Sequence, residues 1–302
     1  SHTESSMKVA SHLIRRHIPF GVVTKSSIDQ LNKFKVLILS NVHMMDQEEC
    51  EAIRRWVGNG GKVIATGGSS LVNKSGQQQQ DFMLADVLGV SIVEADWSPR
   101  NHYVAPTEAG QDIFPEFNAK YPAMSAGQGF QVKAHEGTQI LANRALPWPR
   151  TDRSRFSSIH SDPPWAPTDQ PEITQHAFGS GTAVYCATLI ENMENAESAL
   201  VNLVHHLNGA YQFEVDAPQS VEATLFRQPD RKRYVLSLLN FQKEMPNIPV
   251  HGIRCRLNVS EPIERVNQLA ANRPIRFEKT EAGIELETPK LETLLQFEAI
   301  WK

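Results

Sequence analysis

The sequence predicts an α/β domain followed by a small all-β domain, and three observations carry the prediction. Short continuous apolar runs, Val36-Leu37-Ile38-Leu39 and Val63-Ile64-Ala65, flank an amphipathic stretch and lead into the glycine turn Gly67-Gly68. Apolar strands alternating with helices indicate a mostly parallel sheet covered on both faces, a three-layer arrangement. Beyond Tyr211 the helical period disappears, and strands alternating at short intervals take over. The division is therefore 1–211 for the α/β domain and 212–302 for a β-sandwich.

Each element follows from its own residues. Val9, Leu13 and Ile14 recur at helical spacing, and Pro19 ends that helix before a strand through Phe20, Val22 and Val23. After the Val36 to Leu39 strand, Asp46 with Glu49 three residues on forms a capping box. The helix it opens sets Cys50, Ile53, Trp56 and Val57 on one face, and Gly58-Asn59-Gly60-Gly61 stops it. Asp81 to Val90 reads as a helix ending at Gly89. Short strands such as Gln131 to Ala134 and Gln139 to Ala142 then elaborate the sheet. The stretch from Arg144 to Pro171 holds Pro147, Pro149, Pro163, Pro164, Pro167 and Pro171, which reads as a long loop. Ala183 to Ala187 returns to a buried strand, and Leu200, Leu203, Val204 and Leu207 line a helix ending near Gly209. The sandwich strands are Val221 to Phe226, Tyr234 to Asn240, Ile253 to Leu257, Ile284 to Leu286 and Leu295 to Trp301.

Composition narrows the function classes. In 302 residues, 30 basic against 34 acidic side chains give a formal charge of −4, with no basic block of the kind that tracks a phosphate backbone. Nucleic acid is not an expected partner. No apolar run approaches the roughly 20 residues that cross a bilayer. A membrane is not expected either, and the compartment stays open, because a removed leader leaves no trace in the chain. Cys50, Cys186 and Cys255 are widely spaced inside apolar patterns, so they read as buried thiols and not as a disulfide or zinc framework. His205 and His206 are helix neighbours whose side chains diverge by about 100°, too far apart to share a metal. Neither a metal nor another cofactor is expected.

Several phrases together carry a family likeness. His17-Ile18-Pro19-Phe20, Phe34 to Asn41, Val57 to Gly67 and Asp81 to Val90 resemble the trimerisation domain of bacterial β-galactosidases and related glycoside hydrolases. Phe178-Gly179-Ser180-Gly181-Thr182-Ala183-Val184-Tyr185 and Val235 to Phe241 are similar to the C-terminal region of such enzymes. The resemblance implies a flavodoxin- or amidotransferase-like three-layer fold, like that of class I glutamine amidotransferases. It also implies a homo-oligomer, specifically a trimer, with a possible carbohydrate contact. In that family the catalytic carboxylates belong to a (β/α)8 barrel of about 250 residues, which this chain has no room for. The resemblance therefore implies a non-catalytic accessory region of a carbohydrate-active enzyme.

Three sets of residues are candidates for a site. Ser69 follows the strand where an amidotransferase-like elbow places its nucleophile, and His160 with Asp162 lies downstream in the order a triad needs. Leu71 stands where the elbow pattern wants glycine, and no cysteine occupies the turn. A free-standing hydrolase using Ser69, His160 and Asp162 is thus the alternative, against a turn kept for its geometry alone. Gly67, Gly68 and Ser69 also offer backbone N–H groups to an anion, and His43 lies just beyond a strand end, where α/β sheets bind ligands. Trp148 and Trp165 sit in the proline-rich stretch. There an indole can stack on a sugar, as in a carbohydrate-binding module, anchor a subunit contact, or fold back on its own domain.

Overall fold

The fold is described from a computed structural model that covers residues 1–96, 101–126, 129–148 and 163–302. The chain forms two compact units, Ser1–Val9 with Val22–Asn208, and Ala10–Gly21 with Gly209–Lys302.

The first unit is built on a seven-stranded sheet. Helix α1 (His2–Arg15) opens the chain, followed by β1 (Val36–Leu39), α2 (Gln47–Gly58), β2 (Lys62–Thr66), the single turn α3 (Ala85–Leu88), β3 (Val90–Asp96) and β4 (His102–Pro106). Then come β5 (Ala123–Ser125), β6 (Gly129–Ala134), β7 (Gln139–Pro147), β8 (Pro164–Phe178), β9 (Gly181–Cys186) and α4 (Ser198–Asn208). The sheet order is β1-β2-β9-β8-β7-β4-β5, while β3 and β6 form a separate ribbon. Only β1, β2 and β9 run parallel; β9-β8, β8-β7, β7-β4 and β4-β5 are antiparallel.

The sheet is therefore mixed, and the expectation of a mostly parallel sheet holds for its first three strands alone. The reason is connectivity. Parallel neighbours need a long crossover, which α2 provides between β1 and β2, whereas β8 and β9 are joined by a tight turn that forces antiparallel pairing. Register explains the layers over the parallel part. Leu37, Val63 and Ala183 form one row, and Leu39, Ala65 and Tyr185 another; both face the core that also holds Cys50, Ile53, Trp56 and Val57 of α2. Ile38, Ile64 and Val184 point to the opposite face, where α4 contacts β1 and Lys62 Nζ donates to Leu207 O at 2.5 Å.

The capping box forms as expected. Asp46 accepts from Glu49 N at 2.9 Å, Glu49 accepts from Asp46 N at 2.8 Å, and Lys25 pairs with the Asp46 carboxylate. Three other expectations change. Residues 18–23 make no strand: Pro19 has no N–H to give, Val22 is exposed, and Thr24 instead opens a 3-10 helix, Lys25–Lys33. The helix read from Asp81 to Val90 shrinks to α3, because Asp81 Oδ1 accepts from Phe82 N and Ile92 N and so ties the segment to the ribbon. The proline-rich stretch is partly strand, and prolines 164, 167 and 171 fall where β8 has β7 on one flank and no pairing to β9, which begins at Ile173. Proline is tolerated there because it gives up no ladder hydrogen bond on the open side.

The second unit holds two antiparallel sheets. Its strands are β10 (Phe213–Asp216), β11 (Val221–Gln228), β12 (Arg233–Asn240), β13 (Arg254–Leu257), β14 (Ile263–Gln268), β15 (Arg273–Ile275), β16 (Glu278–Thr280), β17 (Gly283–Glu287) and β18 (Leu294–Trp301). They order as β10-β13-β17-β16 and β11-β12-β18-β14-β15. Leu295, Phe297, Ala299 and Trp301 enter the core, and Gln296 and Glu298 face outward, the alternation read from the sequence. All three cysteines are free and buried.

At the rim of this unit Glu261 accepts from Tyr234 Oη at 2.6 Å and from Arg227 at 2.8 Å, and these bonds hold its carboxyl at about 2 against an ordinary 4.5. A depressed carboxyl stabilises the fold fully above the unfolded value and loses that contribution as pH falls through the folded one. Thermal melts between pH 5 and pH 2 should therefore show a steeper acid loss in the wild-type chain than in Tyr234→Phe; parallel curves would remove this bond from the account.

Candidate functional site

The carboxyl ends of β1, β2 and β9 bring Ser69, His43, Gly67 and Gly68 together. Asn41, at φ 53°, turns its amide into the turn: Oδ1 accepts from Gly68 N at 3.1 Å and from His43 Nε2 at 2.6 Å. Burial lowers the pKa of His43, so the ring serves as a neutral donor here. Gly68 leaves no space for a side chain, since a Cβ there would lie 2.8 Å from His43 Nε2 and 3.0 Å from the Phe130 ring.

Gly67 N donates to Cys186 O, Gly68 N to Asn41 Oδ1 and Ser70 N to Val42 O. Ser69 is fully buried; its hydroxyl lies 2.9 Å from Leu39 O and 2.8 Å from Thr66 O and accepts from Val42 N at 3.0 Å. That geometry gives Ser69 a bracing role between the ends of β1 and β2. His160 and Asp162 lie outside the described residues. Trp148 and Trp165 meet edge to face, with ring centroids 5.4 Å apart and planes at 81°. Trp148 is half-buried, and Trp165 is 50% exposed.

Next to the turn stands a cluster that sequence reasoning missed. Glu172 of β8 is fully buried and accepts from Arg144 Nε of β7 at 2.7 Å and from His102 Nε2 of β4 at 3.0 Å. Burial alone would raise the Glu172 carboxyl, but the His102 hydrogen bond and charge together with the Arg144 guanidinium hold it below its ordinary value. Arg144 Nη2 also donates to Phe130 O of β6 at 3.3 Å, and a Cβ on Gly129 would lie 2.6 Å from that nitrogen. A side chain at 129 would crowd the guanidinium, and glycine leaves that space open. The sequence signal was a charged residue interrupting an apolar strand, Arg144 among Leu141, Ala142, Ala145 and Leu146, and Glu172 before Ile173.

The cluster braces a groove. Glu172 adjoins Pro171 on β8, and Phe130 adjoins Gln131 on β6, so Arg144 ties the two strands whose outer residues are the walls. The groove is shallow and open to solvent, with about 470 Å³ of space over Val93, Gln131, Lys133, Asp169, Gln170 and Pro171 together with Val132 and Ala134. No group of side chains able to hold a metal ion occurs among the described residues.

These features define a class: a unit with a mixed seven-stranded sheet and a filled glycine turn, and a unit of two antiparallel sheets around one core. Residues 5–144 match the family described as the beta-galactosidase trimerisation domain. Among solved structures the chain is similar to alpha-L-fucosidase isoenzyme 2 from Paenibacillus thiaminolyticus, with a TM-score of 0.79 and 21% identity over 99% of this chain and 45% of that one. It is also similar to the beta-galactosidase from Bacillus circulans sp. alkalophilus, with a TM-score of 0.68 and 15% identity over 99% of this chain and 38% of that one. The beta-galactosidase from Rahnella sp. R3 gives a TM-score of 0.63 and 18% identity over 96% and 36%. No curated protein matches significantly. The chain spans less than half the length of these structures. Residues 5–144 are thus similar to that trimerisation domain, and the chain shares the fold of the part of these structures that it covers.

Two substitutions test the geometry. Ser69→Ala leaves the Val42 N–H without its acceptor in a buried turn and should cost about 1–3 kcal/mol in urea unfolding; a neutral result would contradict the bracing role. Gly129→Ala should cost a similar amount, about 1–3 kcal/mol, through overpacking against Arg144.

Proposed function

We propose that this chain is the assembly region of a larger glycoside hydrolase, a homotrimer-forming module that contributes no catalytic residues of its own. The observation that carries this reading is the match of residues 5–144 to a trimerisation domain, in a chain whose 302 residues hold no (β/α)8 barrel among the described elements. In this reading the chain divides near residue 211 into an assembly domain and a sandwich. The parallel β1-β2-β9 core, with α2 crossing over and a glycine turn at the carboxyl ends, supports descent from an amidotransferase-like fold. The turn has lost the open nucleophile position and keeps its geometry, since Ser69 is engaged on both sides. Light scattering on the purified chain should return the mass of three copies over a wide concentration range. A strictly monomeric species at high concentration would overturn the assembly reading.

A carbohydrate contact is the second reading, favoured by the half-exposed indole of Trp165 packed on Trp148. Stacking on a sugar ring needs such a rigid, exposed aromatic face.

A further inference from the structure

The groove between β6 and β8 is braced from behind by a buried ion cluster. Its walls carry local irregularities on both sides. The β3–β6 ribbon breaks register between Ile92 and Glu94, which leaves Val93 64% exposed at the groove. The β7–β8 pairing shifts on either side of Asn143, the residue opposite Pro171. Bulges of this kind re-aim side chains and gather next to binding sites. Gln131 and Lys133 share the outward face of β6, because the intervening Val132 points into the core. Asp169 and Gln170 face them from β8. Among the described residues none of these four side chains has a hydrogen bond or ion pair.

We propose that this groove binds a small neutral saccharide. The proposal rests on the carbohydrate reading and moves its site from the tryptophan pair to the groove. The chemistry of the lining selects the ligand class. One ammonium, one carboxylate and two amides balance in charge, which suits neither an anion nor a cation. Both amides donate and accept, as Asp169 accepts and Lys133 donates, and the hydroxyls of a sugar match such a mixed set. Val93 and Pro171 supply an apolar strip for the C–H face of a ring. The groove is shallow, with about 470 Å³ of open space, so a ligand there keeps one face in water, as a hydroxyl-rich sugar can. The Arg144 bridge from Glu172 to the Phe130 carbonyl fixes the spacing of the walls before any ligand arrives, so little ordering remains to be done on binding.

The test is calorimetric titration of the full chain with methyl galactoside and methyl fucoside. Wild type should bind at least one of them saturably, and Asp169→Ala and Gln131→Ala should each weaken binding by about five- to tenfold, the loss of one ligand hydrogen bond. Both positions lie at the surface, so the variants should fold, and their melting curves verify that. Loss of binding in Trp165→Ala with Asp169→Ala unaffected would overturn the groove and keep the carbohydrate reading. No saturable binding by folded wild type would overturn both and leave the assembly reading to the mass measurement.

Discussion

The buried carboxylate of Glu172 is the interaction on which the first unit depends. A charge taken fully out of water costs several kcal/mol even after relaxation, and it persists only where geometry repays it. Here the guanidinium of Arg144 and the ring of His102 saturate both oxygens, from β7 and β4. One side chain therefore holds three adjacent strands, and the same arginine reaches a fourth through the Phe130 carbonyl. Nearby, Ala187 N donates to the Glu172 carbonyl and Phe130 N to the Ala187 carbonyl, which carries the tie to the end of β9. The antiparallel half of the sheet is thus fastened to the parallel half where the two meet.

This fastening relates the filled turn to the groove. Phe130 lies between them: its ring abuts Gly68, and its carbonyl faces Arg144. The Ser69 hydroxyl is occupied by hydrogen bonds that join β1 to β2, and the polar side chains of the groove lie on the β6 and β8 walls. The interior polar groups of this arrangement stabilise its shape, and the Ser69 hydroxyl is engaged on both sides.

Much of the fold could be read from local pattern. The Asp46 and Glu49 box, the apolar face of α2, the runs that become β1 and β2, and the period of two in β18 are short-range signals, and each appears as read. What could not be read depends on pairing between distant strands. The sheet turns antiparallel after β9 because β7 and β8 fold back between it and β4, which no residue in those strands announces. Prolines 164, 167 and 171 hid a strand because their compatibility with β8 rests on an open flank. Arg144 and Glu172 are 28 positions apart, and only the β7–β8 register brings them together. The family likeness, by contrast, was legible in Phe34 to Asn41 and Val57 to Gly67, both inside the matched region.

If a single ion bridge holds this sheet, its two partners must be energetically coupled. A double-mutant cycle by urea unfolding, with Glu172→Leu, Arg144→Met and the pair, measures that coupling directly. Each single change removes one member of the buried Glu172–Arg144 pair and should cost about 3–5 kcal/mol, whereas the double variant should recover most of the loss. Additive losses, or single variants with near wild-type stability, would contradict the bridge.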